Sequence, residues 1–311
     1  MAMADAPRPV VNLKSFVALY MMVGGFHTNF LILVVCLSQL PSLWAITVLV
    51  VWITFALLPV EYDSPLGSLV ARFIIKNATN YFPIKVIFED KNAFDPSQAH
   101  VIVAEPHSVL PLGIIAFTPQ IGVFPIPKIR ALSSKAIFMS PGVREIWTWM
   151  GAAPVTRESF TELLRKRISC IIVPGGVQEC LHMQKGREVI YLKQRYGFVK
   201  VAMETGSPLI PTFCFGQSNT YNWWRPTGKW YIQFSRAIGC SPLFFWGKFG
   251  PIPFSTPMYY VVGKPIAVPL NINPSREEVA VVHGQFITAL EALFEKYKHD
   301  LGFGDITLEI L

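Results

Sequence analysis

Hydrophobic positions fall into two patterns along this chain. Between Lys14 and Glu61 lie 46 residues without one Asp, Glu, Lys or Arg. A helix needs about 20 apolar residues to cross a bilayer, so this stretch is long enough for two spans. Its natural break is the polar, proline-bearing run Ser38-Gln39-Leu40-Pro41-Ser42, which predicts spans at 15–37 and 43–60. The first span carries Gly24, Gly25, His27, Thr28 and Asn29, residues suited to helix packing or to a re-entrant segment instead of a lipid-facing wall. The stretch is too long for a secretory signal peptide, and no small-residue cleavage site follows it. Lys14 on one side and Arg72, Lys76 and Lys85 on the other predict that both ends face the cytosol.

After Glu61 charged residues return, and short apolar runs alternate with helical periods. The runs Ile84–Phe88, Val101–Ala104, Cys170–Val173, Leu209–Cys214, Trp230–Phe234 and Tyr259–Val262 read as strands. Ser159 with Glu162, and Ser275 with Glu278, form capping boxes. The second box opens a helix with apolar residues at 279, 282, 286, 290, 293 and 297, a helical period. Such alternation signals an α/β layer fold. The predicted organisation is a tail over 1–14, a helical hairpin over 15–60 and one α/β domain over 61–311.

Composition agrees with a membrane protein. The chain is 52% hydrophobic and 15% charged, whereas a typical soluble domain is about 25% charged. Cys36, Cys170, Cys180, Cys214 and Cys240 form no CxxC pair and no Cys/His ligand spacing, which argues against a zinc site or a disulfide framework. The net charge is +7, and the stretch Arg157–Lys200 holds nine Lys/Arg against four Asp/Glu. With no nucleic-acid-binding motif, that basic stretch points to a phosphorylated small molecule or an acidic lipid surface. Residues 213–260 contain 15 of the 41 aromatics, which reads either as an irregular loop layer packed on the sheet or as an interfacial surface.

Two strand-to-loop junctions carry candidate chemistry. Val101–Ala104 runs into Glu105-Pro106-His107-Ser108, with Val109–Ala116 expected to be helical, so His107 stands at a carboxyl end of a strand, where α/β folds collect ligands. Ile171-Ile172-Val173 runs into Pro174-Gly175-Gly176-Val177-Gln178-Glu179, whose paired glycines allow close approach and can present N–H groups to an anion. There is no G-x-S-x-G, no Walker A sequence and no G-x-G-x-x-G. Cys170 and Cys180 read as small core residues.

Tyr81-Phe82-Pro83, EPHS at 105–108, PGGVQE at 174–179, RYGFVKVAMETGSPLIPTFCFGQ at 195–217, VVGKPIAVP at 261–269 and the terminal LEIL resemble the type 2 diacylglycerol acyltransferases. EPHS resembles the plant-type branch, where animal members have HPHG. The resemblance implies a glycerolipid-acyltransferase-like mixed sheet with flanking helices. It implies a multi-pass enzyme of the endoplasmic reticulum membrane, with lipid-droplet contacts, that moves a fatty acyl group from acyl-CoA to 1,2-diacylglycerol to form triacylglycerol. No metal or bound cofactor is implied; acyl-CoA is a co-substrate. Related glycerolipid acyltransferases carry H-x4-D, but Leu112 stands five residues after His107 and the Asp is missing. By resemblance and chemistry His107 is the general base, Glu179 or Glu105 orients its imidazole, backbone N–H groups either of the helix after His107 or of Gly175 and Gly176 face the oxyanion, and Arg157 and Lys200, or others of the nine basic residues in that stretch, hold the CoA phosphates. Two alternatives stand beside this reading. One is the same chemistry on monoacylglycerol or a long-chain alcohol; the other is a non-catalytic, membrane-shaping hairpin protein.

Overall fold

The computed structural model describes residues 8–238 and 241–311; residues 1–7 of the expected tail, and Cys240, lie outside the described residues. Helix α1 (Leu13–Leu19) continues through a π turn (Tyr20–Gly24) into α2 (Gly25–Ser38), giving one apolar rod of 26 residues, long enough to cross a membrane. A turn leads to the shorter apolar α3 (Leu43–Leu57), and α4 (Pro65–Tyr81) follows. Asn29 Oδ1 accepts the indole N–H of Trp52 at 2.6 Å, joining α2 to α3. The lower half of the rod packs against protein: Leu19 and Val23 are fully buried in a core shared with Ile74, Ala78 and Tyr81 of α4. Gly25 and Asn29 do serve helix packing. A Cβ at Gly25 would meet Val143 at 2.6 Å, and Asn29 donates to the Pro141 carbonyl at 3.0 Å.

The remaining chain forms β1 (Ile84–Phe88), β2 (Val101–Glu105), β3 (Ile129–Ser133), α5 (Lys135–Phe138), α6 (Val143–Trp149), β4 (Ala152–Pro154), α7 (Arg157–Arg165), β5 (Ser169–Ile172), α8 (Val177–His182), β6 (Arg187–Ile190), α9 (Gly197–Thr205), β7 (Leu209–Phe215), β8 (Asn222–Trp224), α10 (Lys229–Ile238), β9 (Phe244–Trp246), β10 (Met258–Val262), α11 (Arg276–Lys298) and β11 (Thr307–Ile310). Seven strands make one sheet in the order β1-β10-β7-β2-β5-β3-β4, parallel throughout except where β10 meets β7. Side chains alternate across it as strand geometry requires. Val101 and Val103 enter the core under α9 and α11, while Ile102 and Ala104 enter the core shared with α4 and the rod. Strand β2 is therefore buried on both faces, which is why it reads as a continuous apolar run.

Several expectations are corrected. Trp230–Phe234 is not a strand but part of α10: Tyr231 and Ser235 are buried while Trp230 and Phe234 are exposed, a period of four and not two. Helix α7 begins before the expected Ser159–Glu162 box. Thr156 is its N-cap, accepting from the Ser159 N–H, and Glu162 pairs instead with Lys166. Val109–Ala116 is not a helix from its start. Pro111 disfavours helical backbone at Leu110, and only a 3-10 turn over Leu112–Phe117 forms. The Ser275–Glu278 box and its helix stand as read.

Candidate active site

Strands β2 and β5 are parallel neighbours, so the loops leaving their carboxyl ends meet. The first brings His107 and the second Gly175 and Gly176 to the wall of a cavity of about 420 Å³. Phe26 of α2 and Phe245 of β9 line its other side, and a small apolar cavity bounded by Leu112, Ile115, Phe117 and Met150 shares Ile114, Ala131 and Ile171 with it.

Ser108 adopts φ +55, a left-handed backbone uncommon outside glycine, and its carbonyl lies 2.9 Å from His107 Nδ1. A carbonyl only accepts, so Nδ1 carries the hydrogen and Nε2 is left with its lone pair. The Cys180 Sγ lies 3.5 Å from the same Nδ1 and 3.4 Å from the Ser108 carbonyl. Burial lowers the His107 pKa, the bond to Ser108 opposing it, so the imidazole is neutral and competent as a base at neutral pH.

The carboxylates do not orient that imidazole. Glu179 Oε2 accepts the backbone N–H of His107 at 2.8 Å, and Oε1 accepts that of Tyr191 at 3.4 Å. The imidazole's partner is the Ser108 carbonyl, a contact that no sequence spacing announces. Glu105 is fully buried beside Glu179, and burial followed by the charge of its neighbour raises its pKa well above the carboxylate range. Burial likewise raises Glu179, against the pull of the His107 N–H, so the pair retains a proton near neutrality. The close fit explains the glycine loop. A Cβ on Gly175 would lie 1.8 Å from Glu179 Oε1, and Gly176 has φ +51.

The two basic residues expected to hold phosphate are not brought to His107. Arg157 opens α7 over a separate surface cleft, its Nη2 lying 2.7 Å from both carboxylate oxygens of Glu204. Lys200 stands half-buried on α9 and does not line the cavity. The cation that does is Arg195, beneath the Gly175 carbonyl at 3.5 Å and over the Tyr191 ring at 5.1 Å. It was one of nine basic residues in the stretch, with nothing local to single it out. Cys170 is a core thiol, which burial pushes up to about 12. A neutral, half-buried imidazole, paired glycines and one cation around an apolar cavity suit proton abstraction from a hydroxyl during acyl transfer.

The family profile described as diacylglycerol acyltransferase matches residues 36–310. Human 2-acylglycerol O-acyltransferase 3 is 29% identical, with 94% of this chain and 90% of that protein covered. Diacylglycerol O-acyltransferase 2 of Xenopus tropicalis is also 29% identical, over 95% of this chain and 86% of its own length. Human acyl-CoA wax alcohol acyltransferase 2 is 30% identical, with 86% of each covered. Among solved structures, the 1-acyl-sn-glycerophosphate acyltransferase of Thermotoga maritima aligns with a TM-score of 0.47 at 15% identity, covering 91% of this chain and 93% of that one. Matched by that profile over nearly its whole length, the chain belongs to the diacylglycerol acyltransferase family.

Proposed function

We propose that this protein transfers a fatty acyl group from acyl-CoA to the free hydroxyl of 1,2-diacylglycerol, with His107 as general base. The observation that carries the proposal is the imidazole itself, tied through Nδ1 to Ser108 and lining an apolar cavity with Nε2 available. An alcohol is a weak acid, so Nε2 takes the hydroxyl proton as the oxygen attacks the thioester carbonyl. The backbone N–H groups of Gly175 and Gly176 face the developing oxyanion. The tetrahedral intermediate collapses, the C–S bond breaks, and the departing thiolate, whose conjugate acid has a pKa of roughly 8 to 9, takes the proton back from His107.

Glu179 fixes the backbone of His107, and Glu105 supplies its neutral neighbour. Arg195 takes the pyrophosphate of CoA. Arg157 is two residues from Val155, which lines the cavity, so it and Lys200 are assigned to the outer, nucleotide end. The apolar cavity against Ile115 and Phe117 suits the acyl chain.

The rod Leu13–Ser38 and α3 are read as a membrane hairpin with both ends on the cytosolic face of the endoplasmic reticulum. The Val10 N–H donates to the Asn80 carbonyl at 2.8 Å, which supports the two flanks of the hairpin lying on one side. The relatives' names keep monoacylglycerol and long-chain alcohol acceptors in view. Purified protein in liposomes, given labelled acyl-CoA and each acceptor separately, tests this reading. Triacylglycerol should form fastest from diacylglycerol; a preference for an alcohol would replace the acceptor, and no transfer to any of them would reject the enzyme.

A further inference from the structure

The peptide group that precedes the His107 imidazole is held at both of its polar ends. Its N–H, on His107, donates to Glu179 Oε2 at 2.8 Å. Its carbonyl, on Pro106, accepts from Nε2 of Gln217 at 2.5 Å. In a trans peptide the N–H and C=O point in opposite directions, so side chains from α8 and from the turn after β7 close on this peptide from opposite sides. The other end of the Gln217 amide, Oε1, accepts the N–H of Gly113 at 2.8 Å, within the 3-10 turn that follows the loop. One amide, 1% exposed, thereby ties together both ends of the segment that carries the imidazole. A glutamine is suited to this because it donates and accepts from the same planar group.

We propose that Gln217 is a positioning residue for the acyl transfer: with Glu179 it clamps the Pro106–His107 peptide and so fixes the direction in which His107 presents Nε2. This rests on His107 being the base. The effect acts on the reacting geometry and not on substrate affinity, so it belongs in kcat and not in KM.

Gln217→Glu separates a clamp from a packing role. A neutral carboxyl reproduces the amide, its O–H donating to Pro106 and its carbonyl accepting from Gly113. An ionised carboxylate has no donor and faces the Pro106 oxygen directly. The titratable groups around the position are Glu105 on β2, Glu179 on α8, Cys214 on β7, Tyr260 on β10, His107 itself and, through Ser218, Glu188 on β6. Of these only His107 can carry a positive charge, and burial lowers its pKa, so nothing nearby holds the new carboxylate ionised at acid pH.

The full chain, reconstituted in liposomes with acyl-CoA and diacylglycerol, is assayed from about pH 5.5 to pH 8.5. Relative to wild type at each pH, the Gln217→Glu kcat should lie within about threefold at the acid end and fall at least about tenfold at the alkaline end, the KM for acyl-CoA changing less than about twofold. Gln217→Leu should lose at least about tenfold in kcat at every pH, on the same argument. A flat ratio across pH for Gln217→Glu overturns the proposal, and so does a Gln217→Leu protein with kcat within about twofold of wild type. If Gln217→Leu does not fold, the Gln217→Glu series decides alone. His107→Ala runs alongside. An active His107→Ala rejects the reading beneath the proposal, whereas an inactive one beside a flat Gln217→Glu series rejects the clamp only.

Discussion

A carboxylate that grips a backbone N–H and one that steers an imidazole respond differently to substitution, and Glu179 does the first. Gln supplies the same acceptor to His107, so Glu179→Gln should keep kcat within about tenfold, while Glu179→Leu leaves the N–H unpaired and should cost about a hundredfold. Steady-state kinetics on both variants check this; equal, severe losses would return Glu179 to the imidazole. Glu188 tests the buried charge independently of catalysis. Burial raises it to about 7, its bond to Ser218 pulling the other way. Its unfolded value is roughly 4.3, so folding takes up a proton in this window. The stability it contributes is complete below that unfolded value and is lost as pH rises through about 7. Thermal unfolding should therefore show Glu188→Gln gaining on wild type between about pH 4.5 and pH 7 and levelling off above that, and a constant difference would contradict the burial argument. His107 and the Gly175-Gly176 loop were legible because apolar strand runs ending in a histidine or in glycines mark sheet-end loops. Ser108 and Gln217 were not, because their roles depend on where a carbonyl and an amide end up after folding.

Elements with a strong apolar run or a capped helical period announced themselves and the others did not. Helix α11 was read from its capping box and period, and β2, β7 and β10 from apolar runs buried on both faces of the sheet. Strands β3, β4, β6, β8, β9 and β11 were missed. Each has three to five residues and is set by its neighbours, as β11 is by pairing with β6. The hairpin illustrates the same limit. Charge-free length predicted two apolar helices but not how firmly they are fixed to the domain. Arg144, buried in α6, donates through its guanidinium to the carbonyls of Phe55, Ala56 and Leu58 at the end of α3. A cation there satisfies orphan carbonyls and opposes the helix dipole. Arg144→Met should lower stability by on the order of 2 kcal/mol, read as a fall in the thermal midpoint in detergent. Deleting residues 1–60 should aggregate the protein instead of freeing a soluble enzyme, since Leu19, Met22 and Val23 fill the core against α4. A monodisperse, detergent-free fragment would contradict that packing.

At the scale of the molecule, the cavity sits where three things converge: the carboxyl ends of β2 and β5, the apolar rod and the aromatic strand pair β8–β9. Phe26 and Phe245 line it, His27 Nε2 lies 3.0 Å from the Phe245 carbonyl, and the Phe30 and Phe244 rings meet at 6.1 Å. Trp224, Trp230, Phe244 and Trp246 are exposed, and Phe244 meets the rod at Phe30. Sequence composition identified that aromatic block but left its place open; the structure packs Phe244 and Phe245 of it against the rod. On the proposed reading, a lipid acceptor held there meets the imidazole while a charged carrier approaches from water past Arg195. The most direct test is the rate of triacylglycerol formation by liposome-reconstituted wild type and His107→Ala, matched for thermal unfolding. Loss of a general base costs on the order of 100- to 10,000-fold, and the account predicts a fall within that range. More than about a tenth of the wild-type rate remaining in His107→Ala would contradict it.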